Sequence, residues 1–278
     1  MSEFQFSQVD VFSGEPVKGN PVAVVHGADS LTNQQMAQFA RWTNLSETTF
    51  LLEPADSEAD YRVRIFTPGG ELPFAGHPTL GTCHAWLEKG GEPAREGVVI
   101  QECGLGLITL RRESGRLAFA APALLRSGTP SAADLGQVVA SLGVRDDQVL
   151  GAAWVDNGPG WLGVELDSAQ TVLDLEPDMA AMGDLKVGVI GKHSAGGPAD
   201  VEVRAFVPSL GVPEDPVTGS LNAGLATWLI GEDRLPESYT ASQGTVLGRS
   251  GRVFIDQDDG GIWVGGHALT CVDGLVRI

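Results

Sequence analysis

The chain has 278 residues, 42% of them hydrophobic and 19% charged, with 36 acidic against 18 basic side chains and a net charge of −18. That balance excludes a nucleic-acid surface, which needs clustered Lys and Arg to meet phosphates. No apolar run reaches the roughly 20 residues of a membrane helix, so no membrane partner is expected. Cys83, Cys103 and Cys271 lack Cys-x-x-Cys spacing, which argues against a disulfide scaffold or a structural zinc site. Residues 1–13 carry no basic-then-apolar leader, and the expectation is a cytoplasmic protein.

Thirty-seven glycines and sixteen prolines divide the chain into short segments. In chain order the pattern predicts a strand at 21–25, a helix over 31–43, strands at 48–52 and 61–67, and a helix over 78–89. Strands follow at 97–102, 107–112 and 116–120, then a helix over 131–142 and strands at 150–155, 161–166, 186–191 and 201–207. A last helix over 218–231 precedes strands at 252–256 and 261–264, and 268–278 is expected to return as a strand to the first lobe. Strands predominate and helices do not alternate with them, so the fold class is α+β rather than a doubly wound parallel sheet. The helices at 78–89 and 218–231 are apolar on nearly every face, which places them in an interior. A mostly antiparallel sheet curled around a central helix, twice over, is the resulting expectation.

An internal repeat supports the doubling. Residues 59–68 and 199–208 share six of ten positions: Ala59/Ala199, Asp60/Asp200, Val63/Val203, Arg64/Arg204, Phe66/Phe206 and Pro68/Pro208. After a two-residue slip, His77-Pro78-x-x-Gly81 aligns with Asp215-Pro216-x-x-Gly219, so His77 and Asp215 take equivalent places in this alignment. The Pro/Ser-rich stretch 125–132 marks the boundary. The expected domains are a first lobe, 1–125 completed by 268–278, and a second, 126–267. Each repeat runs strand, Pro/Gly loop, buried helix, and a helix start with free N–H groups is a natural seat for an anion. Two such starts would grip a small carboxylate between lobes.

Five motifs carry a family resemblance: Gly19-Asn20-Pro21-Val22-Ala23-Val24-Val25, Leu45-Ser46-Glu47-Thr48-Thr49-Phe50, Arg64-Ile65-Phe66-Thr67-Pro68, Glu71-Leu72-Pro73-Phe74-Ala75-Gly76-His77-Pro78-Thr79-Leu80-Gly81 and Glu214-Asp215-Pro216-Val217-Thr218-Gly219-Ser220. In order and spacing, from about residue 8 to 231, they resemble the phenazine-biosynthesis PhzF-like isomerases. The resemblance implies a two-lobed fold like that of diaminopimelate epimerase, a homodimer, and no cofactor or metal. It makes Glu47 the general acid and base, with His77 and Asp215 as catalytic partners steering its proton. It assigns Asn20, Gly76, Gly219 and Ser220 to binding a small-molecule carboxylate. A carboxylate in a poorly hydrated cleft suits taking and returning a carbon-bound proton.

Cofactor-free racemases of that fold use a thiol in each helix-start loop, and residues 68–82 and 208–231 contain no cysteine. One carboxylate suits a proton shift that relocates a double bond, on a cyclic or unsaturated acid. No Gly-x-Ser-x-Gly, His-Glu-x-x-His or Walker-type loop competes. Cys103-Gly104-Leu105-Gly106 supplies only two glycines of a dinucleotide fingerprint. The rival is a small-molecule-binding or regulatory protein that kept the cleft and lost turnover.

Overall fold

The computed structural model describes residues 2–113, 115–210 and 212–278, in two compact units. The first runs to Ala120 and takes in Gly265–Ile278; the second is Ala121–Val264. In the first, β1 (Glu3–Val11), β2 (Asn20–Val25), α1 (Asn33–Thr43), β3 (Glu47–Leu52), β4 (Tyr61–Thr67) and β5 (Gly70–Leu72) lead to α2 (Gly76–Glu88). Then come β6 (Val98–Cys103), β7 (Gly106–Glu113) and β8 (Arg116–Ala120). The second unit holds β9 (Arg126–Gly128), α3 (Ala132–Leu142), β10 (Val149–Asp156), β11 (Trp161–Leu166), α4 (Ala169–Leu173) and α5 (Met179–Met182). It continues with β12 (Lys186–Lys192), β13 (Val201–Phe206), β14 (Glu214–Asp215), α6 (Gly219–Gly231), β15 (Ser238–Gln243), β16 (Gly251–Asp258) and β17 (Gly261–Gly266). The last strand, β18 (Ala268–Arg277), pairs antiparallel with β1.

Strand pairing repeats step by step. The first unit runs β18–β1–β2–β3–β4–β6–β7–β8, antiparallel except at β2–β3 and β4–β6, with β5 beside β4. The second runs β9–β10–β11–β12–β13–β15–β16, antiparallel except at β11–β12 and β13–β15, with β14 beside β13. Among the described residues the end strands of a unit do not pair with each other, so each sheet is open, not a closed barrel. In the first unit α2 lies inside the curl, against β1, β2, β3, β6, β8 and β18. In the second α6 lies against β10, β11 and β16. The outer faces carry α1 in one unit and α3, α4 and α5 in the other, over separate apolar cores.

The identical repeat positions hold identical contacts. Asp60 accepts the Ile100 N–H and Asp200 the Thr240 N–H, tying β4 to β6 and β13 to β15. Arg64 forks onto Glu71 (2.7 and 2.6 Å) and Arg204 onto Glu214 (3.0 and 2.8 Å). Each guanidinium also lies over the Phe two residues on, at 5.1 and 4.9 Å. Both inner helices need glycine where they meet a strand. A Cβ on Gly81 would sit 2.4 Å from Val22, and one on Gly224 2.3 Å from the Val155 carbonyl oxygen.

The pairing corrects the alignment after the repeat. Ile65 faces Leu72 while Ala205 faces Asp215, so Asp215 matches Leu72. Counting from the helix starts at Gly76 and Gly219, the counterpart of His77 is Ser220. The sequence slip had moved Asp215 onto His77 because both precede a proline. Pro78 does sit in the first turn of α2, where its missing N–H is harmless, but Pro216 precedes α6 altogether.

Candidate active site

In the first unit Asn20 opens β2, Glu47 opens the parallel β3, and His77 is the second residue of α2. Parallel pairing of β2 and β3 starts both strands at one end, and the α2 start meets them there. Glu47 Oε2 lies 3.4 Å from His77 Nε2, with the two side chains 15% and 5% exposed. The Asn20 amide nitrogen is 3.3 Å from His77 Nδ1. Burial pushes the imidazole down to about 3, and the Pro21 carbonyl, which favours the charged ring, offsets only part of this. His77 is therefore neutral at ordinary pH, with one N–H and one acceptor nitrogen. Beneath it Asp10 accepts the N–H groups of Lys18 and Gly19, both at 2.8 Å, and so fixes the approach to Asn20.

In the second unit Asp215 lies on the α6 side of β14, and Thr218 Oγ1 donates to its Oδ2 at 2.5 Å. Ser220 Oγ accepts from the Trp161 indole N–H at 3.0 Å, which leaves its own hydrogen to donate elsewhere. Asn157 donates to the Ser220 carbonyl at 2.9 Å. The register makes Lys186 the counterpart of Glu47, since Thr48 faces Phe66 where Val187 faces Phe206. The Lys186 ammonium donates to the Pro159 carbonyl. At the positions equivalent to Glu47 and His77 the second unit thus carries Lys186 and Ser220.

The helix starts also differ from the rest. Thr32, Ser131, Ser168 and Asp178 cap α1, α3, α4 and α5 through their side chains, whereas the N-cap residues of α2 and α6, Ala75 and Thr218, make no side-chain cap bond. Gly76 and His77 in one unit, and Gly219 and Ser220 in the other, therefore present first-turn N–H groups that the N-cap side chain does not take. Such ends favour a negatively charged partner.

Sequence reasoning missed Thr218, Gln243 and Asn157. Thr218 stood in a quoted motif, but the other two lie far from any motif and carried no signal. Cys83 is buried in α2 and its thiol is pushed up to about 12, chiefly by burial, so it is no thiolate base. The two glycines at 104 and 106 form the turn between β6 and β7. Among the described residues no three His, Cys, Asp or Glu side chains converge as metal ligands, and no helix is long and apolar enough to cross a membrane.

Two mixed open sheets, each with a helix inside, define the fold, and Glu47 stands beside His77 at the start of α2. The family model described as "Phenazine biosynthesis-like protein" matches residues 9–274, and the chain belongs to that family of isomerases. It is 38% identical to "Antisense-enhancing sequence 1" of Schizosaccharomyces pombe, covering 99% of each chain. It is 33% identical to trans-2,3-dihydro-3-hydroxyanthranilate isomerase of Pseudomonas aeruginosa, over 91% of this chain and 90% of the other. A solved PhzF-family protein of Enterococcus faecalis has the same fold, with a TM-score of 0.81, 27% identity and full coverage of both chains.

Proposed function

We propose that this isomerase works without a cofactor, moving a proton between carbons of a small, carboxylated, cyclic or unsaturated substrate. The observation that carries the reading is the placement of Glu47, 15% exposed, against buried and neutral His77. A carboxylate beside a neutral side chain can take a carbon-bound proton and give it back, while a fixed cation would hold it ionised. His77 orients the Glu47 carboxyl, and Asp215 serves as a polar contact for the substrate. Asn20 is proposed to hold the ring of His77 and to contact the substrate. Gly76, Gly219 and Ser220 are proposed to bind substrate carboxylate, on the support of helix starts without an N-cap side-chain bond and of a Ser220 hydroxyl that accepts from Trp161 and keeps its own hydrogen to donate. Lys186 and Ser220 at the places of Glu47 and His77 favour one acid–base carboxylate over a symmetric pair of bases.

The relative from Pseudomonas aeruginosa supplies the first probe, trans-2,3-dihydro-3-hydroxyanthranilate, beside a panel of cyclic amino and hydroxy acids. Isomerisation and deuterium uptake from heavy water are followed by NMR. Glu47→Gln is expected to slow uptake by about 10²- to 10⁴-fold, the usual worth of a general acid–base. An unchanged rate removes Glu47 from the chemistry. A ligand that raises the Tm of the wild type and exchanges no proton supports the silent-binder reading instead. A cytoplasmic location is also proposed, on the three free cysteines, one of them exposed, and cell fractionation checks it.

A further inference from the structure

Gln243, in β15, has its side chain wholly buried and makes four hydrogen bonds at the start of α6. Its Oε1 accepts from the Thr218 backbone N–H (3.0 Å) and the Asn222 side-chain amide (2.9 Å). Its Nε2 donates to the Asp215 carbonyl (3.2 Å) and to Thr218 Oγ1 (2.9 Å). The amide has one possible orientation, because a backbone N–H only donates and so must face Oε1. With Oε1 placed, Nε2 must donate to Thr218 Oγ1. The Thr218 hydroxyl then turns its own hydrogen to the Asp215 carboxylate. Bond direction is thus passed from a backbone amide, through a saturated side-chain amide, to the acid.

We propose that Gln243 is a positioning residue for Asp215, acting through the Thr218 hydroxyl to set one carboxylate oxygen as a permanent hydrogen-bond acceptor. The functional meaning of this relay rests on the proposed substrate role of Asp215; its existence does not. Glu214, the chain neighbour of Asp215, points to the opposite face of β14 and is held by Arg204. Arg249 stands against Gly244 beside the Pro216 carbonyl.

The test is a carboxyl ¹³C NMR titration of the full chain labelled at aspartate, with Asp215→Asn assigning the signal. Thr218→Val is expected to move the Asp215 midpoint upward by roughly one to two pH units, the worth of one hydrogen bond to a charged group. Thr218→Ser keeps the hydroxyl and should restore the wild-type midpoint. Gln243→Met also moves it upward, and adding it to Thr218→Val moves it no further, because both act through one hydroxyl. Gln243→Leu replaces Gln243→Met should that variant not fold. An Asp215 midpoint unmoved by Thr218→Val, or a double variant that shifts further than either single one, overturns the relay. A relay that holds while Glu47→Gln leaves deuterium uptake unchanged counts against the proton-transfer reading alone.

Discussion

At the residue scale, burial decides the state of His77, which is taken into the interior as a neutral ring beside Glu47. The same burial has a cost in acid. The folded imidazole takes its proton only near pH 3, whereas in the unfolded chain it does so at the ordinary 6.5. Below about pH 6.5 the unfolded state therefore binds the extra proton, and stability falls with decreasing pH. Between about pH 7 and 5 this one group should remove about 2 kcal/mol, at up to about 1.4 kcal/mol per pH unit. Urea unfolding of the wild type and of His77→Gln over that range checks it; His77→Gln should show the shallower fall. His26, pushed down to about 4 mainly by burial, acts in the same direction in both proteins and drops out of the comparison.

At the element scale, one device serves both units under different conditions. The Arg64–Glu71 fork is half in water, with side chains 24% and 43% exposed, while the Arg204–Glu214 fork is 5% and 6% exposed. Arg204 also donates to the carbonyls of Val172 and Leu175, so the outer-face helix depends on it. Removing one partner of a buried pair strands the other charge, at a cost of about 3–5 kcal/mol; at an exposed pair the loss is about 0–1 kcal/mol. Glu214→Gln should therefore lower stability several times more than Glu71→Gln, measured by chemical unfolding. Equal losses would mean that burial does not set the strength of these forks.

At the scale of the whole molecule, β18 gives the first unit a long outer strand where the second has only the three-residue β9. Leu269, Val272 and Leu275 on β18 are exposed, at 36%, 48% and 56%. A long outer strand with apolar side chains is a ready pairing edge. We infer that two copies pair along it as a homodimer, an isologous contact that a two-fold axis permits. Val272→Lys together with Leu275→Lys should convert the dimer to a monomer in light scattering, with circular dichroism unchanged. A wild type that is already monomeric, or a variant that stays dimeric, defeats the inference.

The sequence by itself determined the α+β class, the interior place of the two inner helices and the twelve strands first predicted, because apolar periodicity and all-round apolarity are local properties. It also made Glu47, His77, Asp215 and Ser220 visible, since they sit in quoted motifs. It did not show β1 or β15. The alternation in Phe4 and Phe6 was readable and passed over, whereas four of the six residues of Ser238–Gln243 are Ser, Thr or Gln. Tertiary structure alone decided that Ser220, not Asp215, is the counterpart of His77. Equivalence is a matter of hydrogen-bonded register, and a two-residue slip in a loop erases register from the sequence. It alone also brought Gln243 to Asp215, from 28 residues away, because strand order rather than sequence distance sets what lies under a helix start.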